Sequence, residues 1–184
     1  MTSYGYTSFG LLIGFFLPGF AGLFCLRFWS ASVDRWFDAV ITPSSGVGPL
    51  SVVLLISLVV GLQVSLFRWL IFEKWLCRHD RLEEKYFKTL SDEGHLSAFQ
   101  VVIEQHYRYH QFWGGIAVVI PVGMLGWMLS GLELNWPSAL TLGFLIFVEG
   151  LTVVGAIEAF RFYTKRAKAV LVAADDEARE ASHA

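Results

Sequence analysis

Residues 50–72 read LSVVLLISLVVGLQVSLFRWLIF, a run whose one ionisable side chain, Arg68, lies near its end. A helix of about 20 apolar residues matches the hydrocarbon core of a bilayer. Leu50–Phe72 therefore reads as a transmembrane helix, and the distribution of charge extends that reading along the chain. Asp, Glu, Lys, Arg and His are absent from Met1–Leu26, Ala39–Phe67 and Gln111–Leu132. Of 184 residues, 55% are hydrophobic and 16% charged, with mean hydropathy +0.54, where an ordinary soluble domain carries about 25% charged residues. This composition excludes a disordered chain, and a net charge of −2 supplies no basic field for nucleic acid.

Working outward from Leu50–Phe72, the preceding apolar run, Phe9–Phe28, reads as a retained first span. No Lys or Arg precedes Phe9, and the run exceeds the roughly 7–15 residues of a signal-peptide core, so the small residues Ser30-Ala31-Ser32 are not expected to mark a cleavage site. Gly10, Gly14, Pro18 and Gly22 recur every fourth residue, a stripe on which another helix backbone can approach closely. Ser57, Gly61 and Ser65 repeat the pattern in the second span, ending at Arg68. Pro18-Gly19 predicts a kink. Ser32–Pro49, with its turn-rich Thr42–Pro49 half, is expected to be a loop with an interfacial start, and Trp29, Trp36 and Phe37 to lie at headgroup depth.

After the second span, the mixed charges of Glu73–Lys88 suit a solvated helix, which Ser91-Asp92-Glu93-Gly94 should end. A second helix is expected from about His95, running unbroken into the third span, Trp113–Leu132, with Pro121 bending it. Leu134–Ser138 is a turn with Pro137 at a helix start, leading into the fourth span, Ser138–Phe160. The expected architecture is all-α: one four-helix transmembrane domain over residues 1–172, with spans at 9–28, 50–72, 113–132 and 138–160. A helical connector occupies 73–111, and an acidic tail, frayed or disordered, occupies 173–184.

Orientation follows from Lys and Arg, which are retained on the cytoplasmic side. Arg68–Arg108 holds seven of them and the segment from Arg161 five, against two (Arg27 and Arg35) between the first spans and none around Asn135. Both termini and the connector are thus expected in the cytoplasm. Cys25 and Cys77 then lie at opposite membrane faces, so no disulfide within the chain is expected.

Glu149 is the strongest chemical pointer, because a carboxyl near mid-bilayer normally faces the bundle interior, a cavity or a partner. Thr141, Glu149 and Thr152 fall on one helical face, a polar stripe that could line a pore. The alternative is a neutral Glu149 acting as a hydrogen-bonded tie between helices, with Gln63 of the second span as donor. The small residues Gly10, Gly14, Gly22, Gly61 and Ser65 read as helix-packing positions. His106 and His110, one turn apart, have zinc-ligand spacing, with His79 and Asp80 as possible third ligands. No Glu follows His106, so the general base of a zinc protease is missing, and an interfacial histidine pair is the plainer reading. Glu104 and Arg108 suit a helix-surface ion pair. No phosphate loop, nucleophile elbow or Cys-x-x-Cys occurs, and no cofactor is expected.

Leu17-Pro18-Gly19-Phe20, Arg68-Trp69-Leu70 and His106-Tyr107-Arg108-Tyr109 with Gln111-Phe112 resemble motifs of small four-span bacterial inner-membrane proteins with no assigned activity. The resemblance implies the fold and the bacterial inner membrane. The chain departs from that group at His110, where the group carries Tyr, which counts against a metal there. The expected function is non-enzymatic: a homo-oligomeric, channel-like or membrane-effector protein with a polar fourth-helix face, since four helices of one chain do not easily enclose an aqueous path. An accessory subunit docking a soluble cytoplasmic protein is the alternative, and a metal-dependent membrane enzyme the third. Lipid and further copies of the chain are the expected partners, nucleic acid is not.

Overall fold

The computed structural model describes residues 10, 12–41, 47–77, 93–130 and 136–183, and among these every regular element is helical. A π-helical turn, Leu12–Phe16, leads into α1 (Leu17–Leu26), followed by α2 (Ala31–Ile41) and α3 (Val47–Arg68). α3 widens into a π-helix over Trp69–Leu76. α4 (Glu93–Val102) passes through a second π-helical turn, Ile103–Tyr107, into α5 (Arg108–Leu129), and α6 runs from Trp136 to His183.

Three helical stretches are long and apolar enough to cross a membrane: Val47–Leu76, Arg108–Leu129 and Ser138–Ala173. The apolar helix Leu12–Leu26 is shorter, and residues 1–9 and 11 lie outside the described set.

The polypeptide differs from its expected outline at two places, each with a physical reason. Ala31–Ile41 is a helix rather than a loop. Its Trp36, Phe37 and Val40 meet Leu23 and Val53 on one side while Arg35 is exposed, and burial of that apolar edge stabilises the helix. The run into the third span is not uniformly α-helical, because the turn at Ile103–Tyr107 shifts the register of everything after it. Beyond the expected fourth span the last helix continues to His183, and Ala167 and Leu171 pack against Phe99 of α4. Pro18 sits in the first turn of α1, directly after the π-helical turn, where its missing N–H costs little. α6 opens one residue before Pro137, the residue suited to a helix start.

α1, α3 and α5 form a close trio, and α6 packs mainly on α5. The trio is tight because backbone meets backbone. A Cβ on Gly19 would overlap the Ser57 carbonyl oxygen, and one on Gly61 the Phe15 carbonyl oxygen. α3 and α6 run parallel and α5 antiparallel to both. At one end Arg68 touches Gly114, and Phe72 clusters with Ala117 and Ala156; at the other, Trp29 reaches the Val122 carbonyl. Arg27 at that second end bonds Asp34 and Asp38 and stacks over Phe24 and Phe37, fastening α2 to α1.

Candidate functional site

A cluster of polar side chains is buried where α3, α5 and α6 converge. Arg68 is 3% exposed, yet its Nη1 lies 2.6 Å from Glu73 Oε1. The π-helix after Arg68 explains the pairing. Residues five apart on an α-helix point about 140° away from each other, whereas i→i+5 winding brings them over one another. The Cys77 amide donates to the Phe72 carbonyl across the same five-residue interval, at 2.7 Å.

From the π-helical turn before α5, Tyr107 donates its hydroxyl to the same Oε1 at 3.1 Å, and its ring lies under the Arg68 guanidinium, 5.7 Å away. Burial first, and then the Glu73 carboxylate beside it, raises the Tyr107 phenol above the ordinary tyrosine range, so the hydroxyl keeps the proton it donates. His110, fully buried, places Nδ1 2.8 Å from the Ala156 carbonyl oxygen. A carbonyl only accepts, so Nδ1 carries the hydrogen. The other ring nitrogen, Nε2, faces Glu73 Oε1 at 3.6 Å and makes no hydrogen bond. Phe72, Phe160 and Tyr107 surround the imidazole. One carboxylate thus gathers a cation, a phenol and an imidazole from two helices, and Ala156 ties the third helix to the group.

Beside this cluster, Arg108 Nη1 donates to Gln111 Oε1 at 3.3 Å. A Cβ added to Gly10 would come 2.8 Å from Arg108 Nε, and one added to Gly14 would come 2.8 Å from Gln111 Oε1. The first glycine stripe therefore faces polar side chains of α5 at these two positions. Gly22 faces Val60, Val64 and Val119, Gly61 faces the backbone of the first helix, and Ser65 is half-buried.

The polar positions of α6 separate. Thr152 is buried and donates to the Glu149 carbonyl and carboxyl of its own helix, at 2.8 and 3.2 Å. Thr141 is exposed along an apolar groove with Cys25, Gly123 and Leu145. Glu149 lies in a second, outward-facing groove of about 310 Å³ with Pro121, Met124, Leu125, Met128 and Ile146. Gln63 is exposed on α3 and does not meet Glu149 within the chain.

His106 is half-buried with Nε2 unbonded, and burial, with Arg166 adding to it, holds its imidazole below the ordinary histidine range. His106 and His110 do not share a ligand set: among the described residues no three His, Cys, Asp or Glu side chains are grouped to hold a metal ion. His79, Asp80 and the Glu104 side chain fall outside the described residues. Cys25 and Cys77 are not joined in a disulfide.

Sequence reasoning missed Glu73 as the centre of this network. The available signal was Arg68, a cation at the end of an apolar seam with one carboxylate five residues on. No family model, curated protein or solved structure matches the chain.

Proposed function

We propose that the chain is a four-span bacterial inner-membrane protein that works as a homo-oligomer of the channel-like or membrane-effector kind, with both termini in the cytoplasm. Glu149 carries this reading. It is the one carboxyl within residues 138–157, and it lies in an outward-open apolar groove between α5 and α6. An intramembrane carboxyl is stable only when something covers it, and further copies of the chain are always present to do so. α6 agrees with this, since only 11% of its most apolar window is buried inside the chain.

Leu12–Leu26 belongs to the first span of the proposed set. The polar cluster around Glu73 then serves as a rigid clamp at the basic end of the bundle, holding the helices while copies associate. No catalytic role is assigned to it.

Two measurements test the reading. The mass of the detergent-solubilised protein should be a multiple of the 20.7 kDa chain, and Glu149→Leu should lower that multiple. Reconstituted in liposomes, the wild type should pass ions and Glu149→Leu should pass fewer. A monomeric wild type without flux overturns the proposal and favours the accessory-subunit alternative, in which α4 and the continued helix Tyr163–Leu171, packed together around Phe99, present a surface to a soluble protein.

A further inference from the structure

Within residues 50–67, 112–129 and 138–157, Gln63 and Glu149 are the only carboxamide and carboxyl side chains. Gln63 is exposed on α3, and Glu149, whose carboxyl accepts from Thr152 of its own helix, sits in the outward-open groove between α5 and α6, which leaves hydrogen-bonding capacity toward lipid on two different helices. Such a group is costly in hydrocarbon, where no water replaces the missing partner.

Their depths match. Phe72 at the end of α3 and Ala156 of α6 belong to one packed cluster, which sets a common level. Gln63 lies nine residues above Phe72 and Glu149 seven above Ala156, so at 1.5 Å per residue the two stand about 14 and about 10 Å above that level. The difference is less than one helical turn, within reach of two flexible side chains. Their surroundings match too. Val59, Gln63, Leu66 and Leu70 recur at helical spacing along an exposed apolar ridge of α3, while Glu149 lies in a groove whose methionines can adapt to an inserted side chain.

We propose that Gln63 of one copy hydrogen-bonds Glu149 of the next, so that the α3 ridge of each chain seats in the α5/α6 groove of its neighbour. The inference rests on the homo-oligomer reading and adds its geometry. A carboxamide both donates and accepts, so it satisfies the Glu149 carboxyl in either protonation state. A contact of the groove with itself would set Glu149 against Glu149 and leave both Gln63 side chains in lipid. Pairing of the unlike patches leaves neither group unsatisfied once the assembly closes, either as a two-fold dimer in which each Gln63 meets the other copy's Glu149 or as a ring.

The experiment places single cysteines at Leu62, next to Gln63, and at Ile146, about one turn from Glu149, leaving Gln63 and Glu149 in place. Leu62 and Ile146 stand at equal height, ten residues above Phe72 and ten above Ala156, and both are exposed. In full-length protein with Cys25 and Cys77 replaced by Ala, and shown to keep its mass, Leu62→Cys chains are mixed with Ile146→Cys chains in membranes and oxidised with copper phenanthroline. The expected product is a disulfide-linked dimer from the mixture and none from either variant alone. The exchange variant Gln63→Glu/Glu149→Gln should keep the oligomer mass, while Gln63→Leu and Glu149→Leu each reduce it.

A dimer from Ile146→Cys alone would mean that the groove meets its own copy across a two-fold axis and overturn the inference. An oligomer whose mixture gives no cross-link, or whose mass is unchanged by Gln63→Leu, also overturns it while the homo-oligomer reading stands. A monomeric wild-type protein removes both.

Discussion

Glu73 and Arg68 illustrate how little a buried ion pair says about net stability and how much about the consequence of breaking it. Both charges are taken from water, and their mutual attraction largely offsets that loss, so the intact pair is close to neutral in energy. Removing one partner is another matter. Glu73→Leu leaves the 3%-exposed Arg68 without its carboxylate and should cost about 3–5 kcal/mol, seen as a fall in the thermal unfolding temperature of the detergent-solubilised protein. Arg68→Met combined with Glu73→Leu should recover most of the loss, because an apolar pair of similar volume fills the site without a charge to satisfy. If the double variant is no more stable than Glu73→Leu alone, the pair is not the source of the effect. The closest helix contact gives a second prediction at this scale. Gly61→Leu forces a side chain into the Phe15 carbonyl and should cost at least the roughly 1–3 kcal/mol of an overpacked core, whereas Gly143→Ala, which has nothing within 4 Å, should leave the unfolding temperature unchanged.

Among the helices, the long apolar elements were legible from sequence because hydropathy alone marks them: Val47–Leu76, Arg108–Leu129 and Ser138–Ala173 each contain an expected span or most of one. The departures all lie where tertiary contact overrides local signal. Ala31–Ile41 has two acidic residues and an apolar edge too short to announce a stable helix, and it forms because Phe37, 1% exposed, is enclosed with Leu23 and Val53. The π-helical turns were not legible, since no composition rule distinguishes them from α-helix, and with them went the Arg68–Glu73 pairing that needs a five-residue interval. His110 was legible as a chemical residue and illegible as to role, because its partner is a backbone carbonyl, Ala156, which every residue carries. The enclosed ring of Phe37 yields a prediction for α2. Phe37→Ala should cost about 3–5 kcal/mol and loosen the helix, so that amide exchange across Ala31–Ile41 accelerates while exchange in α5 is unchanged. Equal acceleration in both would show that α2 is not an independently docked element.

For the whole molecule, the asymmetry of charge and the direction of the helices make one argument together. Because α5 runs antiparallel to α3 and α6, Arg68, Arg108 and Arg161 all fall at the same end of the bundle, while Arg27 and Arg35 fall at the other with Trp29. Twelve of the fourteen Lys and Arg residues belong to the flanks of the first end, and such an excess is retained on the cytoplasmic side during insertion. Reversal would require carrying those charges across the bilayer in exchange for two. The prediction is made on intact cells with a membrane-impermeant maleimide and the cysteine-free background. Ser45→Cys, between α2 and α3, should label directly, and Asp92→Cys, before α4, should label only after the membrane is permeabilised. Direct labelling of Asp92→Cys with protection of Ser45→Cys would invert the molecule. It would also set the buried Arg68–Glu73–His110 cluster at the outer face, where a cytoplasmic partner could not reach the helices that extend beyond it, leaving assembly within the membrane as the only surface on which the chain could act.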